Sequence, residues 1–198
     1  AVPTTAAKDE ETPALDALAH ILGGGEASRL AQKVKLEKGF VHSISASSYT
    51  PKDPGAFLIG ATLPAENVEK AIEAIGEEIS RLSREGVTGE ELHRVKVNVE
   101  SDLIYSRQTV QGQARKLGYY ETLTGDLEFE RAYIRRVSLL RSEDLQASIR
   151  KYFKTSRWVI SLLVPSEKTQ TMKGLTFKKL MESVHPEGPA AEAMGPSF

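Results

Sequence analysis

Apolar residues recur along this chain with a spacing that changes several times, and each change marks a new element. Leu15, Leu18, Ile21 and Leu22 fall at three- and four-residue steps after Thr12, the period of a helix with a buried stripe. Pro13 suits the first helical position, where a missing N–H leaves nothing unpaired. Gly23, Gly24 and Gly25 then stop the pattern, because glycine loses most backbone entropy in a helix and tolerates left-handed geometry. A second helix is expected through Leu30 and Val34. Residues 41–49 and 56–63 are short, rich in β-branched or aromatic side chains and bounded by turn formers, so they predict strands. The link Pro51-Lys52-Asp53-Pro54-Gly55 is of hairpin length and pairs them antiparallel.

Beyond the hairpin the period returns to that of a helix. Val68, Ala71, Ile72, Ile75, Ile79 and Leu82 line one side of a segment that ends at Gly86. Thr88 and Glu91 have the spacing of a capping box for the next helix, which carries Leu92, Val95, Val99 and Leu103. Two more helices are expected over 110–123 and 129–140, and Ser142 is expected to cap a shorter one through Tyr152 and Phe153. Trp158–Val164 is an unbroken apolar run, read as a central strand beside the 41–63 hairpin and buried on both faces. Ala1-Val2-Pro3 reads as a strand end, and one amphipathic helix is expected near Leu175–Val184. Strands set apart from a long helical stretch predict an α+β fold, an antiparallel sheet with helices packed on one face. Residues 1–165 are read as one domain, and 166–198 as a linker or tail toward the next half of a longer chain.

Composition narrows the function classes. The chain has 198 residues, 40% hydrophobic and 27% charged, the balance of a soluble globular domain. A net charge of −1 offers no basic field for nucleic acid or an anionic membrane. No apolar run approaches the ~20 residues of a spanning helix. Without cysteine there is no disulfide or thiolate metal site, and the compartment is left open between periplasm and cytoplasm.

The segment Ala14–Leu63, ALDALAHILGGGEASRLAQKVKLEKGFVHSISASSYTPKDPGAFLIGATL, resembles the second domain in one half of pitrilysin/insulinase-type zinc metallopeptidases, the family of the mitochondrial processing peptidases. GVTGEELHRVK, from Gly86 to Lys96, adds to the likeness. The resemblance implies an α+β domain that helps enclose a chamber for unfolded peptides. It also implies that the homologous domains of the same protease, a catalytic domain and a second half, are its partners. Catalysis in that family rests on zinc held by an inverted His-x-x-Glu-His motif in another domain. Here the histidines are His20, His42, His93 and His185, and no two have that spacing. A zinc centre needs three protein ligands and an open position, so the chain is expected to be non-catalytic and to hold no cofactor, zinc belonging to the parent's catalytic domain. The alternative is an assembly module of the same fold without a proteolytic parent, as in core subunits of respiratory complexes.

Few single residues invite a functional reading. In related substrate-binding halves an arginine and a tyrosine seven residues apart contact peptide, and the corresponding places hold Lys35 and His42. Both can donate hydrogen bonds, but lysine lacks the planar fork and histidine titrates near neutrality. Gly23, Gly24 and Gly25 are read as a structural turn. They follow a helix, not a strand, and Glu26 has the wrong charge for a phosphate cradle. His20 reads as a hydrogen-bonded helix residue and His93 as part of a solvated face. Ser43, Ser45, Ser47 and Ser48 lack a local base to activate a nucleophile. Tyr119 and Tyr120 read as helix packing, and Arg135 and Arg136 as solvated charge.

Overall fold

The computed structural model describes residues 1–106, 108–153 and 158–165. Its sheet is centred on β3 (Ala56–Thr62), with β1 (Val2–Pro3) on one side and β2 (Ser43–Tyr49) on the other, all antiparallel. The hairpin register runs from Ser43 opposite Thr62 to Tyr49 opposite Ala56, and Val2 stands opposite Phe57. Strand alternation follows from the two-residue period of side chains. Ile44 and Ala46 turn inward and are half-buried, while Ser43, Ser45, Ser47 and Tyr49 face out. Across the register Ser47 meets Leu58 and Ser45 meets Gly60, and all four are exposed.

Helices cover the inner face. α1 (Thr12–Gly23) lies against β2 and is enclosed by α3 (Gly89–Ser106), α5 (Phe129–Leu139) and α6 (Ser142–Phe153). That enclosure explains its composition: Leu15, Leu18, Ile21, Leu22 and their alanine neighbours are almost fully buried, and small side chains let other elements approach closely. α2 (Val68–Glu85) packs on α6, burying Val68, Ala71, Ala74, Ile79 and Leu82. α4 (Val110–Thr124) is the least embedded helix, and Thr124 is its buried residue. An antiparallel sheet with helices on one face is the architecture expected of the pattern. No helix among the described residues is long and apolar enough to cross a membrane.

Three expectations meet a different outcome. First, the central strand is β3 rather than Trp158–Val164. The latter segment runs beside β1, where Ala1 and Val159 exchange backbone hydrogen bonds of 2.8 and 2.9 Å. Trp158 is buried, but Val159 is 61% exposed and Leu163 fully so. An apolar run is buried on both faces only when layers lie on both sides, and the described residues supply one layer. Second, the Ser142 hydroxyl does not cap α6. It donates to Val87 O at 2.8 Å and accepts from Val87 N at 3.2 Å, and the Asp144 carboxylate instead accepts from Arg141 N. Third, the helix through Leu30 and Val34 is a wide turn over Ala31–Glu37, with Lys38 N donating to Lys33 O five residues back, the π-helical pattern. The linker and helix expected within 166–198 lie outside the described residues, as does His185.

Candidate functional site

The triple glycine closes α1 in three distinct ways. A Cβ on Gly23 would stand 1.9 Å from the backbone nitrogen of Ala46, so this glycine is what lets α1 end directly against β2. Gly24 N donates to His20 O at 2.9 Å, satisfying a terminal carbonyl. Gly25 takes φ +92°, a conformation that side chains disfavour, and its carbonyl accepts from Ser28 Oγ at 2.6 Å. The turn thus redirects the chain from α1 into the wide helical segment, and its role is geometric.

That segment carries Lys35, whose Nζ lies 2.5 Å from Glu26 Oε1. His42 is exposed just before β2, and its backbone N–H donates to Thr62 O at 2.8 Å. No hydrogen bond or ion pair joins Lys35 to His42, and the lysine charge is already matched by Glu26. Next to this region sits a stronger polar junction. Arg29 grips Glu91 in bidentate fashion, Nε to Oε1 at 2.6 Å and Nη2 to Oε2 at 2.8 Å, and also donates to Gly86 O. Glu91 Oε2 in turn accepts from Thr88 N while Glu91 N donates to Thr88 Oγ1. The capping box legible in the sequence is therefore tied to a long-range ion pair. Burial pushes the Glu91 carboxyl up, but hydrogen bonds from Arg29 and Thr88 outweigh it and hold the group below its ordinary value.

The sequence reading passed over Asp16, the acidic residue within the apolar helix α1. Its carboxylate accepts from Tyr133 Oη at 2.8 Å. Burial pushes Asp16 above the usual carboxylate range, against the pull of Tyr133, Ser48 and His20. Tyr133 is itself pushed upward by burial and by the Asp16 charge, so its phenol stays protonated and donates. Asp16 and Tyr133 line a half-open cavity of about 230 Å³ together with Thr50, Tyr119, Tyr120 and Phe129. Tyr120 packs on Tyr119 at 5.5 Å and on Phe129 at 5.8 Å between ring centroids. The signal available in the sequence was Asp16 itself, a carboxylate placed among Leu15, Ala17 and Leu18. A larger hollow of about 600 Å³ between the ends of α3 and α4 is bordered by Asp102, Tyr105 and Arg115, which are exposed surface groups.

Among the described residues the histidines lie apart. His20, His42 and His93 stand on α1, at the start of β2 and on α3. Among the described residues no three potential metal ligands converge. The fold is a one-sided α+β domain with a glycine-closed central helix. Residues 1–99 match the family described as the peptidase M16 inactive domain, and the chain belongs to that family. It is 27% identical over 149 residues to an uncharacterized zinc protease of Bacillus subtilis, YmxG, covering 75% of this chain and 36% of that protein. It is 26% identical over 162 residues to the zinc protease PqqE of Helicobacter pylori, covering 80% and 36%. The chain thus spans about a third of the length of these curated relatives. Among solved structures, an inactive peptidase domain from Bordetella parapertussis superposes with a TM-score of 0.74 at 17% identity, covering 83% of this chain and 90% of that one. A protease from Helicobacter pylori gives 0.71 at 25%, covering 79% and 38%.

Proposed function

We propose that this domain serves a zinc-dependent endopeptidase or oligopeptidase as part of the wall enclosing its peptide substrate, and as a docking surface for the catalytic domain. The observation that carries this reading is the membership of the inactive-domain family together with a sheet left bare on one face. Ser43, Ser45, Ser47, Tyr49 and Leu58 stand on that open face. Small hydroxyl side chains leave the backbone approachable, and an edge strand offers unpaired donors and acceptors that can hold an extended peptide. β2 is such an edge among the described residues. The domain's contribution to rate is then enclosure and alignment, while zinc and the groups that cleave the bond reside in the neighbouring domain. Lys35 and His42 belong to the same reading as donors to substrate carbonyls.

The test is complementation. The chain is added to the separately produced catalytic domain of its parent with a quenched fluorescent peptide. Turnover that rises on mixing, and only then, supports the reading. The same fold occurs in a chain of complex III2 from Candida albicans, with a TM-score of 0.65 at 17% identity. A stable complex of the two parts that cleaves nothing would therefore favour an assembly module instead.

A further inference from the structure

We infer that the cavity between α1, α4 and α5 is a binding pocket for an organic cation, an ammonium or guanidinium group on a slim alkyl stem, with Asp16 as its counter-ion. Three observations converge on it. Asp16 is a half-buried carboxylate set among buried apolar neighbours, and among the described residues its charged neighbour is His20 on the same helix, no lysine or arginine pairing with it. Burying a carboxylate is costly unless its charge is met; Tyr133 supplies one hydrogen bond but no charge, and His20, one turn along α1, acts on it without forming an ion pair.

The walls have the matching chemistry. Tyr119, Tyr120, Tyr133 and Phe129 line the same cavity as Asp16, and the π-faces of such rings attract cations within about 6 Å. Neutral apolar ligands gain nothing from Asp16, and anions would be repelled by it. Size sets a further limit. About 230 Å³ is below the ~300–1,000 Å³ of sites for drug-sized ligands, and it suits the end of one side chain or a small free amine. Tyr119 is half exposed at the rim, so the pocket can be entered without unfolding α1. This chemistry is independent of whether the parent cleaves peptides, and it goes beyond the enclosing role proposed above.

The experiment titrates the full chain with agmatine, with a capped Ala-Ala-Arg-Ala-Ala peptide, and with the same peptide carrying citrulline. Citrulline keeps the shape of arginine without its charge. Affinity is read by calorimetry, and the site by amide NMR shifts. The arginine peptide or agmatine should bind with shifts confined to residues 12–20, 48–50 and 119–133. Citrulline should bind at least tenfold more weakly. Tighter binding of the peptide identifies a side chain as the natural occupant, and equal or tighter binding of agmatine identifies a free amine. Asp16→Asn keeps an acceptor for Tyr133 and should abolish the preference for charge. Tyr119→Ala, at the exposed rim, should weaken binding severalfold while leaving the circular dichroism spectrum intact, which guards against a misfolded Asp16 variant. Equal binding of citrulline and arginine, binding unaffected by both substitutions, or no binding of either cation to the folded chain would each overturn the assignment.

Discussion

At the scale of single residues, steric and electrostatic positions carry different kinds of prediction. Gly23 faces backbone, which cannot swing aside as a side chain could, so Gly23→Ala forces α1 and β2 apart. The expected loss is at least the ~1–3 kcal/mol of core overpacking, read from the denaturant midpoint. Gly25→Ala meets open space but a left-handed backbone, and should cost about 1–2 kcal/mol. Equal tolerance of alanine at both positions would contradict the geometry. Arg29 and Glu91 make an electrostatic prediction. The folded Glu91 carboxyl lies below its ordinary value of 4.5, so its contribution to stability is complete above that pH and disappears as pH falls through the folded value. Arg29→Ala should therefore cost about 1.5–3 kcal/mol near neutrality and progressively less in acid. Asp16 has the opposite sign. Its raised value means that ionisation weakens the fold as pH rises through the shifted value, so Asp16→Asn should gain most relative to the parent chain at neutral pH and lose that advantage in acid. Thermal unfolding of the three proteins from pH 3 to 8 separates the two behaviours.

At the scale of elements, the sequence was most legible where one local cause decides the outcome. Strands at 43–49 and 56–62, helices at 68–85, 110–124 and 129–139, and the Thr88–Glu91 box all follow from period and capping chemistry. What period does not reveal is how many faces of an element find a neighbour. Trp158–Val164 and β3 both contain apolar runs, yet among the described residues only β3 is flanked on both sides, because pairing depends on chain segments distant in sequence. The same blindness hid the setting of Asp16, since the carboxylate is visible in the apolar helix but the rings that α4 and α5 bring to its cavity are not. It also misdirected Ser142, whose hydroxyl is drawn to Val87 across the fold. The C-terminal segment turns this into a measurable contrast. Trp158 stacks edge-on against Phe153, which does the same against Phe57, and its Nε1 donates to Phe153 O at 3.1 Å. Trp158→Ala should therefore cost about 3–5 kcal/mol. Leu163→Ser, a few residues on at a fully exposed position, should stay within about 0.5 kcal/mol. A large loss at Leu163 would show that the segment is covered after all.

At the scale of the whole molecule, the helical side of the sheet carries the core and the open side carries the proposed enclosing role. Nearly all the buried apolar side chains belong to α1 and the elements around it, so the fold depends on the inner face and is indifferent to much of the outer one. The outer face has small, polar and exposed side chains in register across β2 and β3, and it is there that an enclosing role would act. These two statements can be separated by charge. Ser45→Glu and Ser47→Glu place carboxylates on the bare face, opposite Gly60 and Leu58, where each is solvated and like charge is absent from the facing strand position. Each should alter stability by no more than about 0.5 kcal/mol, the usual range for surface changes, so both variants should melt with the parent chain. If the open face borders the enclosed peptide, the double variant should lose most of its ability to stimulate the catalytic domain in trans. The loss should be sharper for acidic peptides, which the new carboxylates repel, than for basic ones. Full stimulation by a double variant that folds normally would remove the open face from the chamber and leave only the docking role. A loss equal for acidic and basic peptides would point to a damaged contact with the catalytic domain instead. The sign of the charge dependence therefore distinguishes a surface that meets substrate from one that meets its neighbour.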